Sequence, residues 1–261
     1  MELIWEGQAV KRALCVLALV GVTGLMAVQP EARAQAKVKV LSDGPLQPAL
    51  GQIGEAFRRD SGHQVEFVFG PSRVVHKKVA DGETADVLII QPNFVAELVT
   101  SGKVVAGDHP VISRVGVGLA ARAETPAHDI GTAGALRQVL LNADALLFNT
   151  VASGNQFATV LERLSIAEAV KAKVVRLPPG PAIFEGLLQG KGDDIAVGTR
   201  SLIKATKGVR LIGPLPAELQ SYLVYAAAPM RGAASPQAAK TFIAFLASPA
   251  ARALFAANGV E

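Results

Sequence analysis

Cysteine occurs once in the 261 residues, at Cys15, and aromatic residues make up only 5% of the chain, with one tryptophan and two tyrosines. A lone cysteine excludes an internal disulfide framework and a cysteine-built zinc site. The four histidines (His63, His76, His109 and His128) stand at spacings that match no metal-ligand pattern, and neither G-x-S-x-G nor H-E-x-x-H occurs. No basic cluster has aromatics interleaved with it, which excludes a stacking platform for nucleic acid. The longest apolar run, Ala13 to Val28, is about 16 residues, short of the ~20 that a spanning helix needs.

That run does have an address-like context. Lys11 and Arg12 precede it and the small residues Ala34-Gln35-Ala36 follow, the pattern of a charged segment, an apolar segment and an A-x-A cleavage site. Residues 1–36 are therefore expected to be a secretory signal peptide rather than an anchor. Leu14 stands before Cys15 where a lipoprotein signal wants a small residue, so no lipid attachment is expected. Cleavage removes the only cysteine and leaves stability to packing alone. Three positive residues (Lys11, Arg12, Arg33) and three negative ones (Glu2, Glu6, Glu31) leave with it, so the formal charge stays at the +4 of the whole chain. A mild basic excess favours anionic ligands.

What remains is rich in alternation. Val38 to Leu41 reads as a strand, Leu46 to Arg59 as a helix with Leu50, Ile53 and Phe57 on one face, and Gln64 to Phe69 as a strand. Ser72 stands where an N-cap would precede a helix over Arg73 to Asp81, and Asp86 to Ile90 is a short, fully apolar strand. The second half repeats the scheme: a strand over Ala145 to Phe148, a loop over Thr150 to Asn155, and a helix over Gln156 to Leu164. Strands follow at Lys173 to Leu177 and Asp194 to Val197, separated by the loop Pro178-Pro179-Gly180-Pro181 and a helix over Ala182 to Gln189. Such alternation implies parallel sheets with helical crossovers. Gly116 to Ala121 and Tyr222 to Ala227 read as two crossings between lobes, giving 37–117 with 226–261 as one lobe and 118–225 as the other. Ser235 to Gly259 reads as an amphipathic helical tail.

Three strand-to-helix junctions carry small or polar residues: Ser42-Asp43-Gly44-Pro45, Gly70-Pro71-Ser72-Arg73, and Thr150 to Asn155. Helix N-termini expose unpaired N–H groups and a partial positive charge, so several of them at one cleft make an oxyanion site.

The segments HQVEFVFGPSRVVHKKVADGETADVLII, DIAVGTRSL and SPQAAKTFIAFLASPAARALFAANG resemble the periplasmic molybdate-binding proteins of ABC importers, members of the type II solute-binding fold. The resemblance spans nearly the whole chain after residue 36. Its most specific pieces are F-x-F-G-x-S entering a helix, G-x-x-A-D-V (Gly82, Ala85, Asp86, Val87) entering a strand, and the tail. It implies a two-lobed α/β architecture, each lobe a mixed sheet flanked by helices, closing on a small anion. It also implies a monomer, an importer permease as partner, and no cofactor, metal or nucleic acid.

Carried over residue by residue, the resemblance keeps Ser72 as a ligand donor, places Ser42 and Gly44 in the first loop, and puts Ser153, Gly154 and Ile183 in backbone-donor loops. Pro45 replaces a ligand serine and removes both hydroxyl and N–H. Gly198 or Thr199 replaces a ligand tyrosine, with Arg200 just after. Arg73 and Arg200 read either as surface arginines or as forks for planar carboxylates, and the second reading favours an organic polycarboxylate over molybdate. Asp43 is awkward beside a dianion unless protonated, turned away or chemically employed. An aconitate-isomerase-like branch of the same lineage supplies the alternative function, allylic proton transfer between trans- and cis-aconitate. Asp43, His76 and Glu185 are then the candidate acid/base groups. His76 also reads as an exposed or structurally bonded histidine, and Lys77 and Lys78 as a solvated face.

Overall fold

A computed structural model describes residues 35–261; the expected signal segment, apart from its last two residues, lies outside them. The first half opens with β1 (Lys37–Asp43), a 3-10 turn at Gly44–Leu46, α1 (Gln47–Ser61), β2 (Gln64–Gly70), α2 (Ser72–Ala80), β3 (Val87–Ile90) and α3 (Pro92–Thr100). The long β4 (Val111–Arg122) leads to α4 (Ala133–Asn142), β5 (Leu146–Asn149), α5 (Ala152–Arg163), α6 (Ala167–Val170) and β6 (Val174–Leu177). Then come α7 (Ala182–Gln189), β7 (Ile195–Thr199), α8 (Arg200–Ala205), β8 (Val209–Pro214), β9 (Tyr222–Pro229), α9 (Pro236–Leu246) and α10 (Pro249–Ala257).

The strands join in the order β2-β1-β3-β9-β4-β7-β5-β6, with β8 added on β4. β1 runs parallel to β2 and β3, and β5 runs parallel to β6 and β7. β3 is buried at every position, which is why it reads as an unbroken apolar run rather than an alternation. β4 pairs with β9 from Val111 to Gly116, then with β7 and β8 from Val117 onward. One strand therefore serves two sheets, and β9 is its antiparallel companion in the first.

Each sheet is covered on both faces. In the first, α1 presents Leu50, Ile53 and Phe57 to a core that includes Tyr225, Phe242 and Phe255. Phe57 meets the Phe242 ring edge-on at 5.1 Å. The helix stops at Gly62, whose φ of 77° and N–H bond to the Arg58 carbonyl close the last turn. The second sheet buries Leu119, Leu146, Phe148, Phe157 and Val197. Asp86 explains much of the G-x-x-A-D-V signature: its carboxylate accepts from the N–H of Lys39 and of Ser235, each at 2.7 Å. One buried side chain thus ties β1 to the chain entering α9.

Some local expectations shift. Ser72 is the first residue of α2 rather than its cap, the cap position being Pro71. The segment expected as a loop up to Asn155 is helical from Ala152. The tail is two helices bent by 63° at Ser248-Pro249, because proline starts a helix more readily than it continues one. No single helix among the described residues is long and apolar enough to cross a membrane.

Candidate functional site

The carboxyl ends of β1, β2, β5 and β7 open onto a cavity of about 410 Å³. The leading turns of α2, α5 and α7 line it, together with Gly44 and Pro45 of the 3-10 turn and Gln47 at the start of α1. The residues at the cap positions of α2, α5 and α7, Pro71, Val151 and Pro181, make no side-chain cap bond themselves. The leading N–H groups of Arg73, Ala152, Ser153 and Ile183 consequently have no acceptor among the described residues. Each such helix start carries roughly half a positive charge towards the cavity wall. The walls between them are apolar, formed by Phe69, Phe94, Ile183, Phe184, Leu202 and Leu223.

Asn149 builds the α5 junction. Its Oδ1 accepts from the N–H of Val151 at 3.1 Å and of Gly154 at 3.0 Å, and its Nδ2 donates to Ser153 Oγ at 2.9 Å. This turn is so tight that a Cβ on Gly154 would lie 1.9 Å from the Asn149 carbonyl oxygen. A glycine is needed here for close approach, and the N–H of Gly154 is spent on Asn149 rather than offered to a ligand.

Asp43 is the single acidic residue lining the cavity among the described residues. It is only 6% exposed. Ser72 Oγ donates to its Oδ2 at 2.5 Å, and the N–H of Gly44 donates to Oδ1 at 2.9 Å. Burial raises its pKa above the ordinary carboxylate range, although these hydrogen bonds and the N–H of Ser72 pull the other way. Behind it stands Tyr225, fully buried. Its hydroxyl is close enough to the carboxylate for burial and that negative charge to push the phenol well above its usual range. That hydroxyl nevertheless has no hydrogen-bond partner among the described residues.

Arg73 is the single basic residue lining the cavity among the described residues. Its guanidinium lies 5.6 Å from the centroid of Phe94, a cation–π contact that orients an exposed side chain at the rim. His76 supports the other partner of this stack: its ring is 5.1 Å from that of Phe94, and Nε2 is 3.0 Å from Glu97.

The expected site residues divide accordingly. Asp43, Gly44, Ser72, Arg73, Ser153, Ile183 and Thr199 all line the cavity. Ser42 is adjacent but fully buried, its hydroxyl turned to the Asp43 carbonyl. Arg200 is elsewhere: it pairs with Glu261 at 2.7 Å and lines a separate cavity with His128 and Tyr222. Its position right after β7 starts α8, and the first helical turn carries the side chain away from the cleft. His76 is one turn beyond Arg73 and is occupied by Glu97, while Glu185 is exposed on α7 away from the cavity. Asn149, Gln91, Asn155 and Tyr225 were not among the candidates. An Asn four residues before a Ser-Gly pair at a strand end was a readable signal for the first; nothing local marks Tyr225.

The profile of the bacterial extracellular solute-binding protein family matches residues 38–261, and the chain belongs to that family. The backbone is similar to that of the periplasmic molybdate-binding protein of Azotobacter vinelandii, with a TM-score of 0.73 at 18% identity over 86% of this chain and 98% of that one. It is also similar to L-phospholactate-bound PEB3 of Campylobacter jejuni, with a TM-score of 0.65 at 18% identity over 86% and 99%. These likenesses establish the two-lobed α/β binding-protein fold. Among curated proteins, an aconitate isomerase from Pseudomonas sp is 24% identical over 250 residues, covering 93% of each chain.

Proposed function

We propose that this protein captures a small organic polycarboxylate in the cleft, as a periplasmic binding component that serves an importer permease. The observation that carries the reading is the composition of the cavity wall. Helix N-termini that keep leading N–H groups free and one arginine provide for charge, while six large apolar side chains provide for a carbon skeleton. A tetrahedral oxyanion uses donors on every side and gains nothing from phenylalanine and leucine. The volume of about 410 Å³ falls in the roughly 300–1,000 Å³ range of small-molecule pockets. Pro45, at the position of a hydroxyl donor in the molybdate-binding resemblance, supports the same choice. Hinging of 37–117 with 226–261 against 118–225, about β4 and β9, would close the site.

Thermal shift with citrate, cis-aconitate, trans-aconitate, molybdate and tungstate tests this. A ligand at 100 times its Kd adds about 2.7 kcal/mol, worth roughly 5–10 °C for a chain of this size. A shift with molybdate or tungstate alone would overturn the proposal.

A second reading is supported by one specific feature, the buried Asp43–Ser72 pair at the cavity wall, together with the aconitate isomerase relative. In that reading Asp43 removes a proton from an allylic carbon and returns it at the other end of the delocalised system. Helix N-termini hold the carboxylates and the charge that develops. Chromatography of trans-aconitate incubated with the protein decides it. Asp43→Asn is expected to abolish conversion while leaving binding measurable, and equal conversion by wild type and variant would end this reading.

A further inference from the structure

Two acids face each other at the wall of a cavity otherwise arranged for anions. Asp43 is nearly inaccessible, held by Ser72 Oγ and two backbone N–H groups, and Tyr225 is buried directly behind it with an unsatisfied hydroxyl. The charged groups of the surrounding elements are engaged elsewhere. On β1, Lys37 pairs with Glu66 of β2, and Lys39 with Glu83. Asp86, at the start of β3, accepts from Lys39 and Ser235, and Arg114 of β4 pairs with Glu261. On α2, His76 pairs with Glu97 of α3 and Lys77 with Asp81, while Arg73 sits at the rim. Among the described residues no cation is placed to neutralise Asp43, and a bound polyanion would share its low-dielectric surroundings.

We infer that the anionic ligand enters this cleft together with one proton, carried by the Asp43 carboxyl, with Tyr225 as the positioning residue that sets the pH at which that proton is taken up. The inference rests on the polycarboxylate capture reading above. The balance is simple: free protein with ionised Asp43, one polyanion and one proton give a complex with a neutral carboxyl. Protonation reverses the Ser72 contact. The carboxyl O–H donates to Ser72 Oγ, whose own hydrogen is released towards the cavity as a donor to the ligand. The raised midpoint of Asp43 already leans this way in the empty protein, and a nearby anion raises it further. Binding is then insensitive to pH below the free-protein midpoint of Asp43. Above it, the complex holds one more proton than the free protein, so affinity falls as pH rises until the midpoint of the complex is passed.

The test is calorimetry with citrate and trans-aconitate over about pH 4.5 to 9.5, with the ligands' own proton binding measured separately and subtracted. The expected wild-type result is a Kd that rises about tenfold per pH unit above the break, with up to one proton taken up in buffers of differing ionisation enthalpy. Asp43→Asn is expected to bind with a flat profile and no uptake. Tyr225→Phe, which removes a contact that favours ionised Asp43, is expected to keep the slope and move the break to higher pH; it also serves if the Asn variant does not fold. A flat wild-type profile, or one shared by Asp43→Asn, overturns proton uptake while leaving polycarboxylate capture intact. An unmoved break in Tyr225→Phe overturns the role of Tyr225. Failure of every polycarboxylate to bind overturns the capture reading and this inference together.

Discussion

Replacing Asn149 by Asp separates the architecture of the site from its electrostatics. The buried Asn149 amide holds the start of α5 through two accepted hydrogen bonds and one donated to Ser153. A carboxylate keeps both accepted bonds, and the Ser153 hydroxyl can turn to donate where it formerly accepted. A negative charge at a helix N-terminus stabilises by about 0.3–1 kcal/mol, which offsets part of the cost of burying it, so the melting temperature should stay within a few degrees of wild type. Binding should respond very differently, because Asn149 lines the cavity. For a ligand charge on the order of 6 Å away, an effective dielectric constant of about 20 gives about 2.8 kcal/mol of repulsion. That corresponds to roughly a hundredfold loss of affinity at ~1.4 kcal/mol per factor of ten. Calorimetric titration with the ligand identified by thermal shift, beside a melting curve of the empty protein, measures both. A Kd within threefold of wild type in a protein of unchanged stability would refute the placing of the anion at the start of α5.

Gly154→Ala should fail in the opposite sense: its Cβ would strike backbone, 1.9 Å from the Asn149 carbonyl oxygen. Overpacking of about 1–3 kcal/mol or more should lower the melting temperature by roughly 3–12 °C, and an unchanged melt would show that the β5–α5 junction relaxes freely. Arg73→Ala should weaken anion binding at least about tenfold, as expected for a charge-assisted hydrogen bond of ~1.4 kcal/mol or more. Arg200→Ala should leave affinity within about twofold, because its partner is Glu261 outside the cavity. Reversal of that order in titration would mean that the cleft closes on Arg200 instead.

How much of this was legible depended on the range of each interaction. The apolar run at Val87 to Ile90, the spacing of Leu50, Ile53 and Phe57, and the strand–helix alternation are local, and each became the element expected of it. The junctions at Asp43, Ser72 and Ser153 were legible as well, since small polar residues after a strand mark an exposed helix start. What stayed open lay about one helical turn from those starts. Arg200 and His76 follow their junctions closely in sequence, but a helix turns about 100° per residue, so proximity along the chain does not decide which way a side chain points.

Pattern and composition by themselves determined the alternating α/β scheme, because burying one face of each element leaves a periodic trace in the chain. They also determined that no cysteine stands in residues 35–261, and that several strand ends lead directly into helix starts. Only the tertiary structure decided which starts share a cavity, that Arg73 reaches it and Arg200 does not, and that Tyr225 stands behind Asp43. Tyr225 is 182 positions from Asp43 along the chain (225 − 43), and the two meet because β3 pairs with both β1 and β9. Strand pairing is a long-range choice made by the collective burial of two sheets, and no local pattern around either residue records it.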